Sequence, residues 1–244
     1  MTHNQWLEAA GVLGKTSKLT GVGAVIDRQR MVKSADEIAL IRRSVLLASK
    51  VYEKAIRKVK PETTELALAA SIDFEMRKAG ASGPSFETIV ASGAHSALPH
   101  ARPRAVQVGR DQLLLVDMGA CLEGYASDMT RMAHLGRPAA KATDLYSAVL
   151  EAQLAAIGVV RAGVEARKVD EAARQSLKKR KLDKAFMHST GHGLGLEIHE
   201  DPRIGRTSTD TLEAGMVITI EPGAYLEGYG GVRIEDTILV TETG

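Results

Sequence analysis

Four carboxylates and one imidazole stand in short, unusual contexts along this 244-residue chain. They are Asp117 in Val-Asp-Met-Gly, Asp128 in Ser-Asp-Met-Thr-Arg, His192 in Gly-His-Gly-Leu-Gly, Glu221 in Ile-Glu-Pro-Gly and Glu235 in Arg-Ile-Glu-Asp. Such ligands suit Mn²⁺, Co²⁺, Fe²⁺ or Zn²⁺ better than a thiolate-bound structural zinc. Because carboxylates can bridge cations, the set can hold a pair of ions, and two metals about 3.5–4 Å apart can polarise a carbonyl and generate hydroxide near neutral pH.

Predicted strands place most of these residues together. Residues 112–117 are apolar on both faces and predict a central strand ending at Asp117, and the alternation after them predicts a hairpin partner that contains Asp128. Glu221 ends a third predicted strand, residues 217–221. Acidic groups at the ends of apolar strands are costly unless they are paired or bound to metal, so the pattern favours a metal site.

The remaining ligands lie in the C-terminal part of the chain. Residues 231–240 predict one last strand, in which Arg233 and Glu235 are two apart and face the same side. His192 lies among glycines, where the backbone can approach a site closely. This glycine run lacks the G-x-G-x-x-G spacing of a dinucleotide loop, and no helix pattern begins there.

Helical patterns surround these strands. Ser34 and Glu37 form a predicted capping box ahead of the first helix. Helical spacing of apolar residues predicts four helices, at about 34–58, 64–78, 142–160 and 165–179. Residues 87–91 predict a further short strand. Helix pairs interleaved with antiparallel strands indicate an α+β domain.

Composition excludes several classes of function. The 32 basic and 30 acidic residues nearly cancel, which gives no electrostatic case for nucleic acid or a membrane surface as a partner. The basic run 178–181 closes a predicted helix, where cations complement the helix dipole. One cysteine, no signal-peptide pattern and no apolar run approaching 18 residues indicate a soluble, cytoplasmic protein.

The five motifs together resemble the pita-bread metallopeptidase family, which includes prolidase, aminopeptidase P and methionine aminopeptidase. Ile-Val-Ala-Ser-Gly with the Ala-Leu-Pro-His that follows, and Ile-His-Glu-Asp-Pro after the glycine loop, match as well. The resemblance implies a curved antiparallel sheet covered by two helix pairs, over residues 31–244. Residues 1–30, which are weakly patterned, would be a leading segment or the remnant of an N-terminal domain, so the chain could be a fragment or a short form.

The resemblance also implies roles for the site residues. Asp117 would bind one metal and His192 the other, while Asp128 and Glu235 bridge them. Glu221 would bind the second metal and act as general base and acid on the bridging water. Two further histidines, His100 and His199, would contact substrate and stabilise the tetrahedral intermediate. Mn²⁺ and Co²⁺ are the favoured ions, with Zn²⁺ and Fe²⁺ as alternatives, and relatives are commonly homodimers.

Arg233 separates the members of the family. An Arg two positions before the last metal-binding Glu is similar to prolidase and aminopeptidase P, where its guanidinium could pair with a carboxylate or help to bind substrate. The implied substrate is a dipeptide or a longer peptide with proline in second position, cleaved at the Xaa–Pro bond. His3, His95 and His134 match no motif, and His188 is interpreted either as incidental or as a residue that orients His192 or lines the cleft.

Two alternatives remain open beside a metal-dependent Xaa-Pro dipeptidase or aminopeptidase. One is a methionine aminopeptidase, which uses the same metal site. The other is a non-catalytic pita-bread binding module; such modules lose metal ligands, and all five ligands are present here. Metal-free, creatinase-like amidinohydrolase chemistry is disfavoured for the same reason.

Overall fold

A computed structural model describes residues 2–13, 17, 19–20 and 23–244. The helices in this part of the chain are α1 His3–Val12, α2 Val25–Met31, α3 Ala35–Ile56, α4 Glu65–Lys78, α5 Ala140–Ile157 and α6 Ala166–Lys179. The strands are β1 Gly83–Pro84, β2 Ile89–Ser92, β3 Leu113–Met118, β4 Ala120–Leu122, β5 Tyr125–Ala126, β6 Met129–His134, β7 Gly191–Gly193, β8 Glu200–Ile204, β9 Val217–Ile220, β10 Gly223–Leu226, β11 Gly230–Arg233 and β12 Asp236–Leu239. Short 3-10 helices span Gly93–Ala97 and Asp183–Ala185.

The strands form small antiparallel sheets. The two that carry most of the site have the orders β2-β3-β6 and β12-β9-β7-β8, and β10 pairs with β11 as a hairpin. Asp117 of β3 lies opposite Thr130 of β6, as the predicted hairpin requires. In the second sheet Gly193 of β7 lies opposite Ile218 of β9.

Each helix pair packs on strands through its own apolar core. One core joins α3 and α4 to the first sheet, through residues that include Val51, Leu68, Ile72, Met76, Leu114, Val116 and Met129. The other joins α5 and α6 to the second sheet and the hairpin, through residues that include Leu145, Val149, Val169, Leu177, Ile218, Ile220 and Val232. The four predicted helices and the capping box of Ser34 with Glu37 are confirmed.

The structure differs from the sequence-based prediction in three places. The prediction of a single strand over residues 231–240 is wrong. Strand β11 ends at Arg233, Ile234 and Glu235 lie outside the strands, and β12 begins at Asp236. Strands β1, β4, β5, β7, β8 and β10 were not predicted. The weakly patterned leading segment contains α1 and α2.

The two leading helices contact the rest of the molecule very differently. None of the residues of α1 is buried, whereas α2 buries Met31 and ends against β8. Across the described residues, no helix combines the length and the apolar character needed to span a bilayer.

Candidate metal centre

One cavity of about 740 Å³ collects every residue that the sequence placed in the site. Its lining includes the five candidate ligands and the three additional candidates, Asp117, Asp128, His192, Glu221, Glu235, His100, His199 and Arg233. His188 lines it as well, while His3, His95 and His134 do not. His95 instead binds the buried carboxylate of Glu65, with Nδ1 3.0 Å from Oε2.

The backbone delivers the carboxylates from ends and breaks of strands. Asp117 lies in β3 and Asp128 directly before β6, so the hairpin turns both toward the same edge. Glu221 follows the last residue of β9, and Glu235 lies in the break between β11 and β12. Arg233 therefore reaches the site from the end of β11 and Glu235 from the break that follows, so the prediction that both lie on one face of a single strand is wrong.

Glycines on either side of His192 let β7 fit between its neighbours. A Cβ at Gly191 would lie 1.9 Å from the carbonyl oxygen of Thr219, and one at Gly193 would lie 2.2 Å from that of Asp201. Real side-chain carbons never come so close, so the two positions accept only glycine without a backbone shift. The expected close approach of the backbone is confirmed.

The imidazole of His192 is oriented as a ligand. Its Nδ1 donates to the carbonyl oxygen of Gly193 at 2.9 Å, which leaves the lone pair of Nε2 free. Nε2 lies 3.6 Å from Asp128 Oδ2 and 3.4 Å from Glu221 Oε1, too far for a good hydrogen bond to either. Burial lowers the pKa of His192 to about 4, so the ring is neutral at pH 7.

The clustered carboxylates are buried close enough together to disfavour their ionised forms. Burial, and then the neighbouring carboxylates, raise the pKa of Asp128 and of Glu235 well above the usual range. Burial also raises the pKa of Glu221 to about 8, although Arg233 opposes the shift. Without a cation in the cluster, the native fold therefore favours protonated acids.

Ligand atoms in the cluster fit a divalent ion. Asp128, His192 and Glu235 each offer one atom, and these three atoms lie within 4.8 Å of one another. Two carboxylate oxygens, Asp117 Oδ1 and Glu235 Oε1, are buried with no hydrogen-bond partner in the described chain. Such acceptors cost about 1–3 kcal/mol each when unsatisfied, and a bound cation removes that cost.

Arg233 orients two of the carboxylates through buried hydrogen bonds. Its Nη2 donates to Asp117 Oδ2 at 2.6 Å and its Nε donates to Thr130 Oγ1 at 3.1 Å. The hydroxyl of Thr130 in turn donates to Glu235 Oε2 at 2.6 Å. A single buried guanidinium thus orients two of the acids, one directly and one through a threonine. Of the two functions left open for Arg233, the structure shows the pairing with a carboxylate.

His188 belongs to the same network on its far side. Arg233 Nη1 donates to the hydroxyl of Tyr225 at 2.8 Å, and that hydroxyl lies 2.8 Å from His188 Nε2. Because His188 Nδ1 lies 2.8 Å from the carbonyl oxygen of Ser189, that nitrogen carries the hydrogen and Nε2 accepts from the tyrosine. Burial lowers the pKa of His188 to about 4, in agreement with a neutral ring. His188 lines the cleft and supports Arg233 through Tyr225; it does not contact His192.

The two additional histidines, His100 and His199, both line the cavity. The ring centroid of His199 is 4.4 Å from that of His192, in an edge-to-face arrangement. His100 follows Pro99, whose carbonyl oxygen accepts from Arg233 Nη1 at 3.2 Å. Both imidazoles face the same cavity as the carboxylates, which is the placement that contact with a bound peptide requires.

Sequence reasoning missed three supporting residues of the site. Thr130 and Tyr225 are described above, and Thr219 is the third: its hydroxyl donates to Glu221 Oε1 at 3.2 Å and accepts from the backbone N–H of His192 at 3.1 Å. Thr130 and Thr219 lie two residues from a candidate ligand along an apolar strand, and this spacing was the available signal.

Comparisons with known proteins agree with this geometry. The profile of metallopeptidase family M24 matches residues 39–242. The chain belongs to metallopeptidase family M24. It is 42% identical over 220 residues to an Xaa-Pro dipeptidase of Pyrococcus furiosus, a match that covers 90% of this chain and 63% of the relative. The M24 chain therefore spans less than two thirds of that relative's length.

Solved M24-like structures extend the likeness to the whole described fold. An Xaa-Pro dipeptidase from Bacillus anthracis superposes with a TM-score of 0.97 at 36% identity, covering 100% of this chain and 68% of that one. An X-Pro aminopeptidase from Thermotoga maritima gives 0.94 at 35% identity, covering 100% and 69%. The predicted family and its α+β pita-bread fold are confirmed.

Proposed function

We propose that this M24 chain is a metal-dependent peptidase that hydrolyses the Xaa–Pro bond of dipeptides or of peptide N-termini. One observation carries the proposal: Asp117, Asp128, His192, Glu221 and Glu235 all line one cavity, with His192 Nε2 free between two of the acids. Two relatives named for X-Pro cleavage support the choice of substrate. The proposed ions are a pair of Mn²⁺ or Co²⁺, with Zn²⁺ or Fe²⁺ as alternatives.

The bound ions would lower the pKa of a water molecule and polarise the scissile carbonyl. The protein's own groups then orient the reactants and move the proton. Glu221 lines the cavity with its Oε1 3.4 Å from Nε2 of His192, and on the family resemblance we assign it as general base and acid. His100 and His199 donate to the oxyanion and bind substrate.

Arg233 acts by holding ligands in place. Its guanidinium keeps Asp117 Oδ2 occupied, so that Oδ1 is the oxygen left for a cation. It also donates to the carbonyl oxygen of Pro99, which precedes His100, so the same guanidinium contacts the chain beside a proposed substrate-binding residue and a proposed metal ligand. A role in binding substrate directly stays a prediction.

Substitution of two ligands tests the metal part of the proposal. Asp128→Ala and Glu235→Ala should each abolish metal binding and peptidase activity together, measured by calorimetric titration with Mn²⁺ and by release of proline from Ala-Pro. Full cleavage of Ala-Pro by either variant would contradict the proposal.

Substrate comparison separates the alternatives. The proposal predicts that Ala-Pro peptides are cleaved and that a matched Met-Ala peptide is not. Preference for Met-Ala would indicate a methionine aminopeptidase, and failure to bind any divalent ion after add-back would indicate a binding module. From the family resemblance we further propose a homodimer, which light scattering coupled to gel filtration would test. From the sequence composition we propose a cytoplasmic location.

A further inference from the structure

A buried carboxylate next to His199 is held by two cations from the segment that precedes α3. Arg30 Nη2 donates to Glu200 Oε1 at 2.5 Å, and Lys33 Nζ donates to Glu200 Oε2 at 3.0 Å. The side chains of Lys33 and Glu200 are only 2% and 5% exposed, and that of Arg30 is 24% exposed. Both cations lie before residue 39, where the match to the M24 profile begins.

Charge balance makes this contact more than an exposed ion pair. Burial alone would raise the pKa of Glu200, but the N–H of Glu197, Lys33 and Arg30 together lower it below its usual range. Burial lowers the pKa of Lys33, and the hydrogen bond and charge of Glu200 oppose that shift. Without Arg30, Lys33 would still pair with Oε2 of Glu200, but Oε1 would lose its charged donor and keep only the backbone N–H of Glu197.

The same carboxylate shapes the turn that carries His199. Glu200 Oε1 accepts from the backbone N–H of Glu197 at 3.0 Å, closing the turn 197–200. Glu200 is also the first residue of β8, so it fixes where the turn joins the sheet. Since His199 lies inside this turn, its ring position beside His192 depends on the anchoring of Glu200.

The preceding segment is itself fixed to the sheet that holds the ligands. The backbone N–H of Lys33 donates to the carbonyl oxygen of Gly215 at 3.0 Å, and Val32 forms a bridge with Met216 directly before β9. Arg30 and Asp27 of α2 also line the cavity. The segment that carries Arg30 and Lys33 is therefore hydrogen-bonded to the chain directly before β9.

We propose that Arg30 is a positioning residue, which acts through Glu200 to hold the turn 197–200 and with it His199 in the cleft. The inference rests on the proposed peptidase function for its kinetic part only. Arg30 makes no direct contact with substrate in this account. Its short hydrogen bond goes to Glu200, and a longer ion pair joins its Nη2 to Glu197 Oε2 at 3.5 Å, at the other end of the same turn.

A matched pair on one helix tests the proposal: Arg30→Gln against Arg28→Gln. Arg28 is an exposed neighbour on α2 without an ion pair among the described residues. In the metal-loaded full chain, Arg30→Gln should lower kcat for Ala-Pro about tenfold or more and leave KM within about twofold of wild type. The reason is that a shift of the turn would misplace His199, which is proposed to act in the transition state. Arg28→Gln should leave both constants unchanged.

The double variant separates positioning from direct contact. Glu200→Gln should lower kcat as Arg30→Gln does, and the two together should lose no more than either alone, since both act on the same turn. Losses that multiply, a rise in KM alone, or Arg30→Gln kinetics equal to those of Arg28→Gln would each overturn the proposal.

Amide hydrogen exchange supplies a readout that needs no activity. Exchange over residues 196–201 should be faster in Arg30→Gln than in Arg28→Gln, with the rate over α5 unchanged in both. If the wild-type chain cleaves no peptide, the proposed function fails while this comparison still decides the anchoring of the turn. Equal exchange in the two variants would refute it.

Discussion

Raising the pH from 6.5 to 8 should destabilise the metal-free protein. Burial raises the pKa of Glu221 from an ordinary value of 4.5 to about 8, so within this window the native state holds a proton that the unfolded state has released. A group with a raised native pKa contributes stability that is complete below its unfolded pKa and is lost as the pH rises through its native pKa. The free energy of unfolding must therefore fall across the window.

The expected size follows from one proton. A difference of one bound proton changes the free energy of unfolding by about 1.4 kcal/mol per pH unit. Because Glu221 is half ionised at pH 8, it contributes a fall of about 1.6 kcal/mol between pH 6.5 and 8. Burial raises the pKa values of Asp128 and Glu235 in the same direction. The pKa values of His188 and His192, lowered to about 4, give the opposite slope until the unfolded-state histidines have lost their protons. Together they offset about 0.8 kcal/mol of the fall, which leaves a net loss of about 1 kcal/mol.

Urea unfolding of protein treated with a chelator measures this slope. Glu221→Gln, which keeps the shape and removes the titration, should remove this group's share of the fall, about 1.6 kcal/mol between pH 6.5 and 8. Saturating Mn²⁺ should reverse the trend, because a cation binds the ionised ligands and its affinity rises with pH. A stability that stays constant or rises from pH 6.5 to 8 in the metal-free protein would refute the reasoning.

Two substitutions test the network behind the ligands. Thr130→Val keeps the side-chain shape but removes the hydroxyl between Arg233 and Glu235, and should cost about 2–4 kcal/mol in urea unfolding, whereas Thr130→Ser should cost about 1 kcal/mol for its lost methyl group. Equal losses in the two variants would contradict a role for the hydroxyl. Tyr225→Phe leaves His188 Nε2 without its donor and should cost about 1–3 kcal/mol by the same measurement, and an unchanged stability would show that the contact contributes nothing.

Much of the candidate site could be predicted because local patterns place it. The apolar run before Asp117 and the alternation around Asp128 predict a hairpin, and a hairpin fixes its own register. Similarly, glycines flanking His192 indicate a close backbone approach, which the neighbouring strands bear out.

The remaining features depend on contacts that no local pattern contains. Arg30 and Glu200 are 170 residues apart, and periodicity reports which face a residue occupies without naming its partner. The break at Glu235 was hidden because alternation continues in sequence through residues that leave the ladder. Strand β7 was missed because glycine disfavours strands, and only packing between two other strands makes it one.

A metal titration followed by activity tests the central claim most directly. Protein stripped of metal should release no proline from Ala-Pro, and stepwise addition of Mn²⁺ should restore hydrolysis to a plateau at two ions per chain. The same titration of Asp128→Ala should restore none. Hydrolysis of Ala-Pro that survives complete removal of metal, or a wild-type chain that binds Mn²⁺ and still cleaves no Xaa–Pro bond, would contradict the account.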